Sequence, residues 1–260
     1  MRIHRKYNIF KKKYDKYGWV LIKKIFSKKE VSEINKVIDI FLKKKMKKYK
    51  GKNINFITNK PTSINDIKNI NSFHSLSDSN YIKKKSKNKK IIKIAKELLM
   101  AQPKYIASEL FAKPASKGLP SPIHQDNYYW CIKGGNALTV WVALDQASSK
   151  NGGLRYYNCT HKLGVVKHEA SFAKGSSQKV SNIIKYKKYK QVCPRLSPGD
   201  ALFHHSETIH GSSANKSGTR RRGLTFQFKD YNAQYDSVLK KKYLESLNKQ
   251  IILREKKRSI

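Results

Sequence analysis

Hydrophobic and polar positions divide the chain into a helical N-terminal part, a strand-rich middle and a helical end. Residues 14–26 place a glycine before a run of apolar positions, which predicts the end of a helix and then a strand. Ser27 and Glu30 have the spacing of a capping box, and apolar residues follow at helical spacing, so a helix should pack on the core. Residues 47–90 are polar and weakly periodic, which predicts loops with short helices, and residues 91–100 are predicted to be helical.

From residue 105 onward, short β-rich runs alternate with turn residues. The runs are YIASELFAK, NALTVWVALD, GGLRYYN, GDALFHH and GLTFQFK. Several short strands separated by Gly, Pro, Ser and Asn indicate a β-sandwich or jelly roll. Residues 168–189 interrupt this rhythm and are either a lid or a surface insertion. Helical spacing over 235–254 predicts a C-terminal helix before a basic tail.

Length and pattern together predict one domain over residues 1–260. β-barrels and sandwiches of this length commonly form a single domain. We expect a mainly helical and looped part over 1–104, a β core over 105–230 and a C-terminal helix with its basic tail over 231–260. The expected fold class is therefore mainly β with helical additions.

Composition bears on the compartment and the partners of the protein more than on its activity. No apolar run reaches the length of about 20 residues that a membrane helix needs, and three cysteines, far apart, fit neither a disulfide framework nor a paired-cysteine zinc site. We therefore expect a cytoplasmic protein without a membrane span. The net charge of +40 would attract polyanions, but only nine of the 57 basic residues are arginine. Without arginine–aromatic clusters, no dedicated nucleic-acid binding is expected, and the surface is interpreted as compositional bias.

A candidate metal site begins with His124 and Asp126, which lie two residues apart at a predicted strand end. Side chains at this spacing leave the same face of a strand, so both can reach one metal ion. His-x-Asp alone is a weak motif, because a strand histidine is often structural. His210, inside a separate turn–strand–turn block, would complete the two-His, one-carboxylate triad of non-heme Fe(II) oxygenases.

Arg221 follows His210 by 11 residues and begins the next strand. The distal carboxylate of 2-oxoglutarate needs a charge-assisted and preferably bidentate donor, which arginine provides. Arg220 and Arg222 flank this residue and could be confused with it, and spacing favours Arg221.

Four ordered blocks resemble the phytanoyl-CoA dioxygenase family, which includes phytanoyl-CoA and ectoine hydroxylases. The blocks cover most of the chain: YGWVLIKKIFS, KPASKGLPSPIHQD, ALTVWVALDQASSKNGGLRYYNCTHK and LSPGDALFHHSETIHGSSANKSGTRRRGLTF. The resemblance implies a double-stranded β-helix (a jelly-roll, cupin-like core) packed by N-terminal and C-terminal helices. It also implies Fe(II), 2-oxoglutarate and O2 as cofactor and cosubstrates.

The resemblance assigns roles by position. His124, Asp126 and His210 match the iron ligands of the family, and Arg221 matches its cosubstrate arginine. Further positions match the family's cosubstrate contacts or pocket: Thr139 and Trp141 for the cosubstrate, and Glu109, Phe111, Lys113 and Tyr128 for the substrate. Ordinary barrel packing remains an alternative for Trp141, and solvent exposure for Glu109 and its neighbours.

The activity that the resemblance implies is hydroxylation of a small metabolite, with release of succinate and CO2. Family halogenases replace the carboxylate ligand by a small residue, so Asp126 favours hydroxylation, while desaturation and cyclisation stay open. Two alternatives remain. The first is a non-catalytic or sensory metal-binding β-helix protein. The second is an oxygenase that acts on nucleic acid, protein or a CoA thioester. The sequence does not indicate the oligomeric state.

Overall fold

The computed structural model describes residues 2–47, 54–56, 63–173 and 176–256. Parts of the predicted loop region, two residues of the predicted lid and the end of the basic tail lie outside these ranges. The helices are α1 (Arg2–Tyr17), α2 (Lys28–Lys47), α3 (Asn80–Ser86), α4 (Lys89–Leu99), α5 (Asn127–Trp130) and α6 (Ser237–Lys256). The strands are β1 (Trp19–Ile22), β2 (Ile54–Phe56), β3 (Ile70–Phe73), β4 (Pro103–Lys113), β5 (Ser121–His124), β6 (Ala137–Ala143), β7 (Leu154–Tyr157), β8 (His168–Ala170), β9 (Gln178–Val180), β10 (Gln191–Val192), β11 (Ala201–His205), β12 (His210–Ser212) and β13 (Arg221–Asp230).

Two antiparallel sheets form the core. The larger sheet has the strand order β1-β11-β6-β13-β4-β3-β2, and the smaller has the order β10-β7-β12-β5. Trp141 and Leu202 of the larger sheet pack with Leu154 and Tyr156 of the smaller one, so the two sheets face each other. This arrangement confirms the predicted jelly roll with added helices.

The central strand β6 of the larger sheet is buried on both faces, which explains its nearly continuous apolar sequence. Leu138, Val140 and Val142 of β6 belong to the main hydrophobic core on the outer face, whereas Thr139 and Trp141 point to the smaller sheet. The core partners from α2 and α4 are Val31, Ile34, Ile38, Leu42, Ile91, Ile94 and Leu98. Helices therefore cover one face of the sheet and leave the other face for a site.

The local predictions for the N-terminal part are confirmed where a capping signal supported them. Glu30 accepts a hydrogen bond from the Ser27 backbone N–H at 2.8 Å, and the Glu30 N–H donates to Ser27 Oγ at 3.2 Å, so the capping box starts α2. The predicted strand after Gly18 is β1, and the predicted helix over 91–100 is α4.

The loop prediction for residues 47–90 was wrong for two segments. Strands β2 and β3 extend the larger sheet beyond β4. Both strands are only three or four residues long, and β3 joins the sheet by pairing Ser72 and Phe73 with Phe111 and Leu110 of β4. The local sequence has no periodicity that predicts such a pairing.

Within residues 168–189, β8 pairs antiparallel with β9, and a short 3₁₀ turn follows over Ile183–Tyr186. The C-terminal helix α6, predicted from its spacing, holds this segment: Ser246 donates to Gln178 at 2.7 Å, and Gln250 donates to the carbonyl of Ser177 at 2.9 Å. Ser176 and Ser177 line the main cavity. Among the described residues, no helix combines the length and apolarity needed to cross a bilayer.

Gly223 of β13 gives room to the Trp141 ring. A Cβ at Gly223 would lie 2.0 Å from ring carbons of this buried indole. We expect Gly223→Ala to lower the free energy of unfolding by about 1–3 kcal/mol through overpacking, measured by denaturant and thermal unfolding. Gly218→Ala, where a Cβ meets nothing within 4 Å, is the matched control. Equal stability of the two variants would contradict this account.

Candidate metal and cosubstrate site

Strand pairing brings the three predicted metal ligands together. His210 at the start of β12 lies directly opposite His124 at the end of β5, and Asp126 follows two residues later. The ligand atoms of all three lie within 4.8 Å of one another. Oδ1 of Asp126 is 3.6 Å from Nε2 of His124 and 3.7 Å from Nε2 of His210. The three atoms therefore converge on one point of the cavity wall.

Backbone carbonyls fix which nitrogen of each histidine faces that point. Nδ1 of His124 lies 2.8 Å from the carbonyl of Pro122, and Nδ1 of His210 lies 2.9 Å from the carbonyl of Thr208. A carbonyl only accepts, so Nδ1 carries the proton. Each Nε2 can then offer its lone pair to a metal, as histidine ligands do.

Electrostatics favour the ligand forms of Asp126 and His210. Burial alone would raise the pKa of Asp126, but the neighbouring histidines hold it well below its ordinary value. Burial lowers the pKa of His210 to about 3, with a further contribution from His124. An anionic carboxylate and a neutral imidazole are the forms that bind a divalent cation. The donor set of two nitrogens and one oxygen suits Fe(II) and leaves further coordination positions open.

The other carboxylate oxygen of Asp126 is held by two donors. Thr139 Oγ1 donates to Oδ2 at 2.7 Å, and His204 Nε2 lies 3.1 Å from the same oxygen. Thr139, predicted to contact the cosubstrate, lines the cavity, and its hydroxyl contacts the candidate ligand Asp126. Sequence reasoning missed His204. Its one signal was alternation, because His204 and Leu202 share a strand face.

Arg221 is buried at another part of the same cavity. Its Nε and Nη2 donate to the carbonyl of Gly152 at 3.1 and 2.9 Å, and Nη1 donates to the carbonyl of Phe111 at 3.0 Å. These bonds use three of the five N–H donors, so two remain for a ligand. Trp141 also lines the cavity, with its ring centroid 5.4 Å from the guanidinium carbon.

Only one of the three consecutive arginines, at positions 220 to 222, lines the cavity. Arg222 pairs with Asp145 and Asp39, and Arg220 is mostly exposed. Burial lowers the pKa of Arg221 to about 9, which leaves it protonated at neutral pH. A buried cation with two unused N–H groups fits a carboxylate ligand.

Ser212 is a second residue that sequence reasoning missed. Its hydroxyl oxygen is buried and has no hydrogen-bond partner among the described residues, although the side chain lines the cavity. A buried hydroxyl without a partner is costly, so a ligand oxygen at this place would satisfy it. Ser212 stands two residues after His210 on β12, and this spacing was the available signal.

The remaining cavity wall carries polar groups beside aromatic and apolar ones. Glu109 and Phe111 of β4 line it, as predicted by position. Glu109 accepts hydrogen bonds from Gln227 at 2.8 Å and pairs with Nδ1 of His74 at 2.8 Å. Burial opposes protonation of His74, but the hydrogen bond and charge of Glu109 outweigh it and raise the pKa of His74. The whole cavity has a volume of about 570 Å³.

Two predicted pocket residues lie elsewhere. Lys113, at the end of β4, turns to donate to the carbonyl of Leu119 and does not line the main cavity. Tyr128 stacks on His168 with ring centroids 4.1 Å apart, while its neighbours Tyr129 and Trp130 line the cavity. The reason is that α5 is helical, so successive side chains turn by about 100°.

Curated relatives match parts of the chain. Phytanoyl-CoA dioxygenase, peroxisomal, of Bos taurus is 30% identical over 135 residues, which are 50% of this chain and 40% of that protein. A probable phytanoyl-CoA dioxygenase of Caenorhabditis elegans is 26% identical over 231 residues, covering 83% of this chain and 72% of that protein. The chain thus spans less than half of the bovine relative.

Solved structures share the fold, and one family model covers most of the chain. The carbocyclase SnoK, described as non-heme and alpha ketoglutarate dependent, has a TM-score of 0.70 at 20% identity, covering 87% of this chain and 85% of that chain. EctD from S. alaskensis with 2-oxoglutarate and 5-hydroxyectoine has a TM-score of 0.68 at 19% identity, covering 86% and 76%. The model described as Phytanoyl-CoA dioxygenase (PhyH) matches residues 14–223, and the chain belongs to this family.

Proposed function

We propose that this chain is an Fe(II)- and 2-oxoglutarate-dependent dioxygenase that hydroxylates a small metabolite. The supporting observation is one cavity that combines the three converging ligand atoms with the buried cation of Arg221. When bound, iron with 2-oxoglutarate and O2 supplies the oxidation of a substrate C–H bond, coupled to decarboxylation of 2-oxoglutarate to succinate and CO2. The protein supplies binding, orientation and exclusion of water.

Each residue has a defined task in this proposal. His124 and His210 bind the metal through Nε2, and Asp126 binds it through Oδ1. Arg221 and Ser212 hold the distal carboxylate of the cosubstrate through a charged pair of N–H donors and a hydroxyl. Trp141 stabilises the guanidinium by contact with its ring face. A fixed position for both ends of the cosubstrate reduces the entropy lost in the reaction.

The same cavity supports a compact polar substrate. Beside the rings of Tyr129 and Trp130, its wall carries the network of Glu109, His74 and Gln227, and a hydrocarbon placed against this network would cover the remaining lone pairs of Glu109 without giving them donors. A substrate with hydroxyl or amino donors would satisfy the remaining lone pairs of Glu109. Residues 168–189 are proposed as the lid, because Ser176 and Ser177 already line the cavity.

The first prediction concerns the metal ligands. Anaerobic addition of Fe(II) and 2-oxoglutarate to the protein should produce the visible charge-transfer band of the chelate. His210→Ala and Asp126→Ala should each remove this band and succinate release, because two ligands hold iron poorly. Thermal unfolding of each variant controls for folding. A wild-type chain that binds zinc, shows no band and releases no succinate would support the non-catalytic alternative and sink the proposal.

The second prediction separates the role of Arg221 from that of its neighbour Arg220. Arg221→Ala should weaken 2-oxoglutarate binding by on the order of 100-fold, because it removes a buried charge-assisted donor pair. Ser212→Ala should weaken it by roughly tenfold, the value of one hydrogen bond. The measurement is titration of the chelate band with 2-oxoglutarate. Arg220→Ala is the control and should bind normally; a larger loss there than in Arg221→Ala would reverse the assignment.

The third prediction concerns the substrate. Small hydroxylated or amino metabolites should stimulate succinate release more than acyl-CoA thioesters, oligonucleotides or peptides. Glu109→Gln should raise the KM of the stimulating compound by roughly tenfold, since one charged hydrogen bond is weakened, with little change in 2-oxoglutarate affinity.

The control for this experiment is Glu33→Gln, which alters an exposed carboxylate of α2, outside the cavity lining and the proposed lid. It should leave both constants unchanged. Greater stimulation by an acyl-CoA thioester, or an unchanged KM in Glu109→Gln, would contradict the polar-substrate assignment and leave the iron chemistry intact.

A further inference from the structure

The two carboxylate oxygens of Asp126 have different neighbours, and Oδ2 is held by two side chains of the larger sheet. Oδ1 faces Nε2 of His124 and of His210, whereas Oδ2 faces Thr139 Oγ1 at 2.7 Å and His204 Nε2 at 3.1 Å. A carboxylate accepts hydrogen bonds at both oxygens and can bind a metal through one or both. The two donors occupy one oxygen and leave the other for the metal.

Both donors come from the larger sheet, while Asp126 follows a strand of the smaller sheet. His204 of β11 is the direct cross-strand partner of Thr139 of β6. Cross-strand partners project from the same face, about 5 Å apart, so their donors can reach a single acceptor. This pair therefore fixes the position of Asp126 across the gap between the sheets.

Asp126 and Tyr156 together fix the tautomer of His204. The Tyr156 hydroxyl lies 2.8 Å from Nδ1 of His204, and both side chains are buried. The carboxylate of Asp126 can only accept, so Nε2 of His204 carries a proton. Nδ1 of the neutral ring is then an acceptor, and the Tyr156 hydroxyl donates to it. The chain of donors runs from Tyr156 through His204 to Asp126.

Packing prevents His204 from turning away. Its ring centroid lies 4.5 Å from that of His210 and 5.3 Å from that of Tyr156. Tyr156 in turn stacks on Trp19 with centroids 5.1 Å apart. If His204 rotated away, the buried Tyr156 hydroxyl would lose its acceptor, and Oδ2 of Asp126 would lose one of its two donors.

We propose that His204 is a positioning residue for the metal: with Thr139 it holds Oδ2 of Asp126, so that the carboxylate binds the metal through Oδ1 alone. This inference rests on the proposed function, because it assumes a metal bound by His124, Asp126 and His210. The consequence is that an additional coordination position stays open for cosubstrate or oxygen. Partners of this kind commonly change metal affinity by about 10- to 100-fold when they are removed.

The test compares two substitutions of His204 by metal binding. His204→Phe keeps a ring and removes the donor, whereas His204→Gln places an amide nitrogen near the position of Nε2. We expect His204→Phe to bind Co(II) and Fe(II) about 10- to 100-fold more weakly under anaerobic conditions, with an altered visible Co(II) spectrum. His204→Gln should restore most of the affinity and the wild-type spectrum.

Two further variants keep the result interpretable if His204→Phe folds poorly. Thr139→Val removes the other donor without a large change of shape and should also alter the Co(II) spectrum. His205→Gln changes the neighbouring histidine of β11, whose ring faces Tyr14 and His161, and should leave metal binding unchanged. Thermal unfolding of all variants identifies losses that follow from instability.

Three outcomes would overturn the inference. In the first, His204→Phe binds metal with the affinity and spectrum of the wild type. In the second, His204→Gln is as defective as His204→Phe at equal thermal stability, so that donation of a hydrogen bond is not the cause. In the third, Thr139→Val leaves the Co(II) spectrum unchanged. Failure of the wild-type chain itself to bind metal would instead refute the proposed function.

Discussion

The pairing of β12 with β5 is the constraint on which the site depends. It places His210 opposite His124, although 86 residues separate them in the chain. Side chains alternate along a strand, so a slip by one residue would turn His210 out of the cavity. The same strand carries Ser212 on the inner face and pairs with β7, which supplies Tyr156. One register therefore positions the candidate ligand His210, the buried hydroxyl of Ser212, and Tyr156, which contacts His204.

The larger sheet adds the charged groups, and backbone carbonyls make their burial tolerable. Arg221 would be strongly destabilising without partners, and the carbonyls of Gly152 and Phe111 provide them. Lys113 lies directly opposite Arg221 on β4, and two cations in one cavity would repel. Burial and the charge of Arg221 lower the pKa of Lys113 to about 6, and its amine turns to the Leu119 carbonyl. Alternation along β4 placed Lys113 on the same strand face as Glu109 and Phe111, but it did not indicate the repulsion between Lys113 and Arg221.

Sequence predicted the parts of the fold and site that depend on local spacing. The capping box at Ser27, the amphipathic helices and the positions of the core strands along the chain are properties of short windows, as is the relation of His124 to Asp126. By contrast, His204, Ser212 and His74 acquire their places from partners far along the chain. Strands β2 and β3 were missed for the same reason, because they form by pairing of β3 with β4 and of β2 with β3, which their short sequences do not predict. Tyr128 was misplaced because a single helical turn follows the metal motif.

The charges inside the cavity favour a different class of substrate from the charges on the surface. Within the cavity, Asp126 and Glu109 supply negative charge and Arg221 supplies positive charge, while Glu109 raises the pKa of His74 and so favours its cationic form. A divalent metal would balance the dianion of 2-oxoglutarate, so the net charge of +40 of the whole chain does not describe the interior. A polyanionic substrate would gain its attraction from the exposed lysines, where salt screens it. Inside the cavity, shape and directed hydrogen bonds such as those available at Glu109 would distinguish compounds of equal charge.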